Sequence, residues 1–358
     1  MNTSRLNRIL DKLSEQGVSQ MIITDPYTIF YLTGRFINPG ERLLALYISR
    51  DGNHRFFIND LFTVNEDLGV EKVRFSDTKD PIPLLADCIN PSSPLGIDKN
   101  MPARFLLPLM ERGCAPKYQN TSFCVDAVRS LKDAAEQALM KEASRVNDCA
   151  MEQLRDLIRE GITEEQLAKD LLDIYKSMGA EGFSFSPLVG FGPNAALGHY
   201  EPGKAVLKAG DCILIDIGCV KDGYCSDMTR TFFWKEVSPE HRKVYETVKE
   251  AVLAAESLIR PGVRFCDLDA AARNLITEAG YGPYFTHRLG HSIGLEDHEY
   301  GDVSSANTAC VQPGMTFSIE PGIYLEGNVG VRIEDLALVT ENGAVILNAF
   351  PKELEILS

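Results

Sequence analysis

Basic residues are in short supply in this 358-residue chain: 36 Lys and Arg stand against 51 Asp and Glu, for a formal net charge of −15. Phosphate backbones and anionic headgroups are held by clustered Lys and Arg. The balance therefore argues against a nucleic-acid-binding or membrane-surface protein and fits one that acts on small molecules. Paired cysteine spacings are missing too. The nine cysteines make an odd number with no CxxC pair, unlike a disulfide framework or a thiolate zinc site, and are expected to be reduced. No uninterrupted apolar stretch reaches membrane-spanning length, and the opening MNTSRLNRILDKL has no apolar core of signal-peptide type. A cytoplasmic location is the expectation.

The length predicts two domains, and the division is expected at 1–121 and 122–358. In the first, Leu6, Ile9, Leu10 and Leu13 follow the 3–4 spacing of one buried helical stripe, with Thr3 or Ser4 as its cap and Gly17 at its end. A strand at 21–24, a short helix at 27–32, a hairpin over 43–58, a strand at 95–97 and a helix at 104–112 keep an alternating α/β character. No cluster of metal-binding or nucleophilic residue types occurs here, so a structural or substrate-gating role is expected. The loop 38–42, with Pro39-Gly40, reads as an exposed turn. From 130 to 160 the chain is rich in Ala, Leu, Glu and Arg at helical spacing, and Thr163 to Gln166 has the pattern of a capping box.

The second half centres on residues 211–234, two β-prone arms around Lys221-Asp222-Gly223. With the turn centred between Lys221 and Asp222, Asp216 falls directly across from Asp227 on one face. Two facing carboxylates repel, so either one is protonated or a divalent cation lies between them. A register slip of one would instead send them to opposite faces.

Five of the six histidines lie in the second half; His199 precedes the hairpin, and His287, His291 and His298 cluster within 286–298. Gly290 and Gly294 bracket His291, as where another stretch of backbone approaches closely. Further on, Met315 to Glu320 and Gly330 to Glu334 read as strands, each carrying a glutamate whose desolvation is costly unless it is paired or metal-bound. Period 2 puts Arg332 and Glu334 on one face, where the alternative is a surface salt-bridge ladder. Asp216, Asp227, His291, Glu320 and Glu334 together form an oxygen-rich set with one imidazole. Such a set suits Mn²⁺, Co²⁺ or Fe²⁺ better than a thiolate-type zinc site, with Zn²⁺ also compatible. Its charge exceeds what one ion requires, so two are expected, and an ion pair that shares a hydroxide and polarises a carbonyl is equipment for amide hydrolysis.

The motifs DIG (216–218), SDMTRT (226–231), GHSIGL (290–295), HE (298–299), SIEPGIY (318–324) and GVRIED (330–335) resemble those of the pita-bread metallopeptidases. That family includes prolidases, Xaa-Pro aminopeptidases, methionine aminopeptidases and the metal-free creatinases. The stretch TDPYTIFYLTG (24–34) followed by PGER (39–42) is similar to the small bacterial prolidases in particular. The resemblance implies a ribonuclease H-like α/β N-terminal domain of creatinase/prolidase type and an α+β pita-bread catalytic domain. It implies that Asp216 binds one ion, His291 and Glu320 the other, and that Asp227 and Glu334 bridge both. Glu320 would shuttle a proton to the leaving amine, while His199 and His298 contact the scissile carbonyl and leaving group and Arg332 lines the substrate pocket. The loop 38–42 would reach over the partner's active site in a homodimer, reversing its reading as a plain turn.

The implied activity is cleavage of the Xaa-Pro bond of dipeptides with two divalent ions, Mn²⁺ first. The alternatives are an Xaa-Pro aminopeptidase on longer peptides and a creatinase-like hydrolase of small amides. Two features depart from the prolidase pattern: Asp297, where an apolar residue often precedes the HE pair, and Ser292, where glycine is common. The acid is expected to shift preference toward basic or polar first residues.

Overall fold

The computed structural model describes residues 1–198 and 200–358. His199 lies outside the described residues. The chain divides into two compact units, Met1–Arg129 and Ser130–Ser358.

The first unit is a mixed sheet with helices. In chain order its elements are α1 (Thr3–Glu15), β1 (Gln20–Ile23), α2 (Pro26–Thr33), β2 (Ala45–Ser49), β3 (Arg55–Asn59), β4 (Glu71–Phe75), α3 (Ile82–Ala86), β5 (Leu95–Ile97), α4 (Ala103–Glu111), β6 (Tyr118–Asn120) and α5 (Ser122–Arg129). The sheet order is β4-β3-β2-β1-β5-β6. β1 pairs antiparallel with β2 and parallel with β5, and its four residues are all buried, as a central strand requires. The α1 stripe of Leu6, Ile9, Leu10 and Leu13 is buried as its spacing predicts. Its cap, however, is Asn2, whose side chain accepts from the Arg5 amide, rather than Thr3 or Ser4. The division falls after α5 and not at 121/122: this helix buries Cys124, Val125 and Val128 and packs on α1. Arg129 at its end lies 3.6 Å from the Asp25 carboxylate of the same unit.

The second unit comprises α6 (Ala134–Asp156), α7 (Glu164–Ser177), β7 (Gly182–Phe183), β8 (Leu188–Phe191), β9 (Cys212–Ile217), β10 (Cys219–Lys221), β11 (Tyr224–Cys225), β12 (Met228–Trp234), α8 (Pro239–Leu258) and α9 (Phe265–Glu278). Then follow β13 (Gly290–Ser292), β14 (Glu299–Val303), β15 (Thr316–Ile319), β16 (Gly322–Leu325), β17 (Val329–Arg332), β18 (Asp335–Thr340), β19 (Gly343–Ile346) and β20 (Ile356–Leu357). Two larger sheets, β20-β12-β9-β8 and β14-β13-β15-β18-β19, carry the helices, and β16-β17 forms a separate ribbon. Thr163 caps α7 through the Gln166 amide, but the Gln166 side chain turns to Asp170, 2.6 Å away, so only half of the expected box forms there. The reciprocal box is at α6, between Asp133 and Glu136.

Alternation along β9 sorts the interior. Ile213, Ile215 and Ile217 join the core built on α6 and α7, whereas Cys212 and Leu214 join the core built on α8 and α9. Asp216 continues the second set. The hairpin register differs from the expected one: Asp216 faces Thr229, and Val220 faces Cys225. The turn is centred on Asp222-Gly223, whose φ values of 51° and 80° are the two positive angles of a primed hairpin turn. Shifting the centre by one residue moves the pairing by two, which preserves the face. Asp227 therefore stays on the Asp216 side, two residues before the facing Thr229 and just ahead of β12. The arms are also interrupted at Gly218, where a Cβ would meet the Ser226 carbonyl oxygen at 2.2 Å, and the chain passes there from the β20-β12-β9-β8 sheet into a small three-stranded sheet, β11-β10-β7.

Candidate active site

Strand ends from both sheets converge on one group of acids. Asp216 comes from the end of β9 and Asp227 from the approach to β12. His291 is the middle residue of β13, Glu320 follows β15, and Glu334 lies between β17 and β18. Two backbone hydrogen bonds lock the glutamates in place: Glu320 N donates to Leu289 O at 2.8 Å, and Glu334 N donates to Thr229 O at 3.1 Å. Gly290 allows the approach of β13 to β15, because a Cβ there would stand 1.9 Å from the Ser318 carbonyl oxygen.

His291 Nε2 lies 3.5 Å from Asp227 Oδ2 and 3.5 Å from Glu320 Oε1. Asp227, His291 and Glu334 each offer a donor atom within 4.8 Å of the others. Three carboxylate oxygens of these five residues, Asp216 Oδ1, Asp227 Oδ1 and Glu334 Oε1, are buried without a hydrogen-bond partner among the described residues. Burial, followed by the Glu334 and Asp216 carboxylates, pushes Asp227 well above the usual carboxylate range. Burial, followed by Glu320 and Asp216, does the same to Glu334, and burial also raises Glu320. Burial pushes His291 down, which keeps its imidazole neutral and able to donate a lone pair. Orphaned, mutually repelling carboxylate oxygens beside a neutral imidazole could hold a divalent cation, whose charge would offset the repulsion.

Polar residues that sequence reasoning did not single out hold these groups in place. The Thr229 hydroxyl donates to Glu334 Oε2 at 2.7 Å and accepts from Arg332 Nε at 2.9 Å. The Ser318 hydroxyl donates to Glu320 Oε1 at 3.1 Å and accepts from the His291 amide at 3.0 Å. Arg332 Nη2 donates to Asp216 Oδ2 at 2.5 Å and Nη1 to the Tyr324 hydroxyl at 2.8 Å, so Arg332 is not part of a surface ladder. His287 Nε2 lies 3.0 Å from the same Tyr324 hydroxyl. Period 2 was the available signal: Thr229 follows Asp227 by two, and Ser318 precedes Glu320 by two.

A cavity of about 990 Å³ opens over the cluster, with Phe185, Leu188, Leu197 and Tyr324 supplying apolar wall and Arg288, His298 and Asp297 polar wall. The His298 ring stacks on His291 at 3.8 Å between centroids, and Arg288 Nη2 donates to its Nδ1 at 2.8 Å. Burial, His291 and Arg288 push His298 down to about 4, so its imidazole is neutral at physiological pH. Burial raises Asp297 to about 6. In the first unit, Arg42 of the 38–42 loop pairs with Asp77 at 2.8 Å.

Residues 138–341 match the family described as metallopeptidase family M24, and residues 5–131 match the creatinase/prolidase N-terminal domain. Among curated relatives, "Putative dipeptidase YkvY" of Bacillus subtilis (strain 168) is 37% identical over 363 residues, covering 99% of this chain and all of that one (100%). Among solved structures, a dipeptidase from Pyrococcus horikoshii OT3 superposes with a TM-score of 0.92 at 34% identity, over 99% of this chain and 100% of that one. A prolidase from Thermococcus sibiricus superposes at 0.93 with 31% identity, over 100% and 99% of the two chains.

Proposed function

The chain belongs to metallopeptidase family M24, and from that premise we propose that it hydrolyses the Xaa-Pro bond of dipeptides, using two divalent ions, with Mn²⁺ the first candidate and Co²⁺, Fe²⁺ or Zn²⁺ compatible. The observation that carries the reading is the buried cluster of four carboxylates and one imidazole, with three orphaned oxygens, at the base of a cavity of about 990 Å³. Relatives and neighbours named as dipeptidase or prolidase support the substrate class.

Asp216 would hold one ion, His291 and Glu320 the other, with Asp227 and Glu334 shared. When bound, the ions would supply an activated water and polarise the scissile carbonyl. The chain's own residues do the rest. Arg332, paired with Asp216, fixes that carboxylate's orientation. Glu320, held at Oε1 by Ser318, is assigned the transfer of a proton to the leaving amine. Neutral His298 faces the cavity with its ring braced against His291 and is assigned to the reacting peptide, together with His199. Arg288, exposed on the cavity wall and making no ion pair among the described residues, is the cation we assign to the free carboxylate of a dipeptide. That assignment favours a dipeptidase over an Xaa-Pro aminopeptidase. The enzyme is further proposed to be a cytoplasmic homodimer. Among the described residues no helix is long and apolar enough to cross a membrane.

Proline release from Leu-Pro, compared with hydrolysis of Leu-Pro-Gly at saturating Mn²⁺, tests the reading. It requires faster cleavage of the dipeptide and a rise in KM for Leu-Pro in Arg288→Ala. Preference for the tripeptide would make the enzyme an aminopeptidase.

A further inference from the structure

Asp297 adds a fifth carboxylate to the cluster and stands outside the ligand set assigned above. It sits in the turn between β13 and β14, next to His298, and lines the cavity floor. It shares the cavity with Asp216, Asp227, His291, Glu320 and Glu334, and it adjoins His298, whose ring stacks on His291 at 3.8 Å. Its two oxygens are not equivalent. Oδ2 lies 3.4 Å from His298 Nε2. Oδ1 is buried and has no hydrogen-bond partner among the described residues.

A buried carboxylate oxygen without a partner costs free energy unless a cation or proton satisfies it. The oxygens of the same cavity point to a cation: Asp227 and Glu334, 4% and 2% exposed, each keep one oxygen unpartnered there. An incoming peptide is poorly placed to satisfy Asp297. Its orphaned Oδ1 is shut off from solvent, so the oxygen left for the ammonium of a basic first residue is Oδ2, which already lies beside His298.

We propose that Asp297 is a further carboxylate of the metal centre, acting on the ion beside Asp227 and His291 rather than on the first residue of the peptide. This inference rests on the dinuclear reading above and changes the role expected for the acid from the sequence. Asp297 either ligates directly or sets the charge that holds the ion, and in both cases its removal weakens metal retention.

The test is calorimetric titration of the metal-free full-length protein with Mn²⁺, for the unaltered chain, Asp297→Asn and Asp297→Val. Asparagine keeps the shape and removes the charge; valine removes both polar atoms. Alongside, kcat/KM for Lys-Pro and Leu-Pro is measured in each. The proposal requires Mn²⁺ affinity to fall by about 10- to 100-fold in both variants, with the Lys-Pro to Leu-Pro ratio little changed. Unaltered affinity in either variant overturns it, and a collapse of the ratio at unaltered affinity assigns Asp297 to the substrate instead. The titration contains no peptide, so its outcome is independent of whether the enzyme prefers proline. A protein whose unaltered form binds no Mn²⁺ would fail the dinuclear reading itself.

Discussion

The Thr229 hydroxyl joins two residues of opposite charge, accepting from Arg332 Nε at 2.9 Å and donating to Glu334 Oε2 at 2.7 Å. Since Arg332 also holds Asp216, this one hydroxyl couples the orientation of Glu334 to that of a second acid on a different strand. Thr229→Val keeps the shape and loses both bonds. Loss of such an outer partner is expected to cost about 10- to 100-fold in metal affinity. Titration with Mn²⁺, with the unfolding midpoint as a control for the fold, checks this; unaltered affinity would show the bridge to be dispensable.

Glu320 accepts from Ser318 and lies 3.5 Å from His291 Nε2. Glu320→Gln removes the group assigned to proton transfer while preserving the shape. Turnover on Leu-Pro is expected to fall by at least about 100-fold, the scale of general acid-base catalysis, with an unaltered circular-dichroism spectrum. Turnover near that of the unaltered enzyme would remove Glu320 from the proton path.

Arg230 is 1% exposed and clamps the strand ends behind the site. It donates to the Asp335 carboxylate at 2.7 Å and to the carbonyls of Glu334, Phe350 and Pro351 at 2.7, 2.6 and 3.0 Å. Arg230→Met leaves Asp335 buried with Lys352 as its remaining cation. Breaking one partner out of a buried ion pair costs about 3–5 kcal/mol, so denaturant unfolding should show a loss of that size. A loss below about 1 kcal/mol, the scale of an exposed pair, would mean that the clamp is not needed for stability.

A pH dependence follows from Glu256, at the outer edge of the same network. Burial, with Asp335 adding to it and Lys352 opposing it, raises this carboxyl from 4.5 to about 7. The folded chain therefore holds the proton more tightly than the unfolded chain. The associated stability is fully present below pH 4.5 and is lost as pH rises through about 7. Glu256→Gln removes the titration, so the fall in melting temperature between pH 5 and pH 8 should be smaller in the variant. An equal fall in both proteins would assign that pH dependence to other groups.

Much of the fold was legible because it is carried by local patterns. The α1 stripe, the strand at Leu95–Ile97 and the arms of the hairpin are all set by spacing within one segment. The five residues were nameable from local patterns too: Asp216 and Asp227 as facing carboxylates of one hairpin, His291 from the cluster of histidines and its flanking glycines, and Glu320 and Glu334 as costly acids in apolar strands. What escaped was pairing between distant segments. The Asp216 to Arg332 bond spans 116 residues, and the Thr229 to Glu334 bond spans 105. Period 2 puts these residues on the right face of their own strands, but it does not name the partner on a distant one. The register error arose at the turn, where Asp222-Gly223 supplies two positive φ angles that Lys221-Asp222 would resist. Asn2 was passed over as a cap because two equally competent hydroxyl residues follow it.

The central claim, a peptidase centre that needs two ions on these five residues, is tested most directly by one titration. Proline release from Leu-Pro is followed while Mn²⁺ is added stepwise to metal-free protein, and the loaded enzyme is then treated with chelator. The account predicts no release without metal, a rise that levels off near two ions per chain, and loss of activity on chelation. Release at full rate from the metal-free protein, or saturation at one ion per chain, would contradict it.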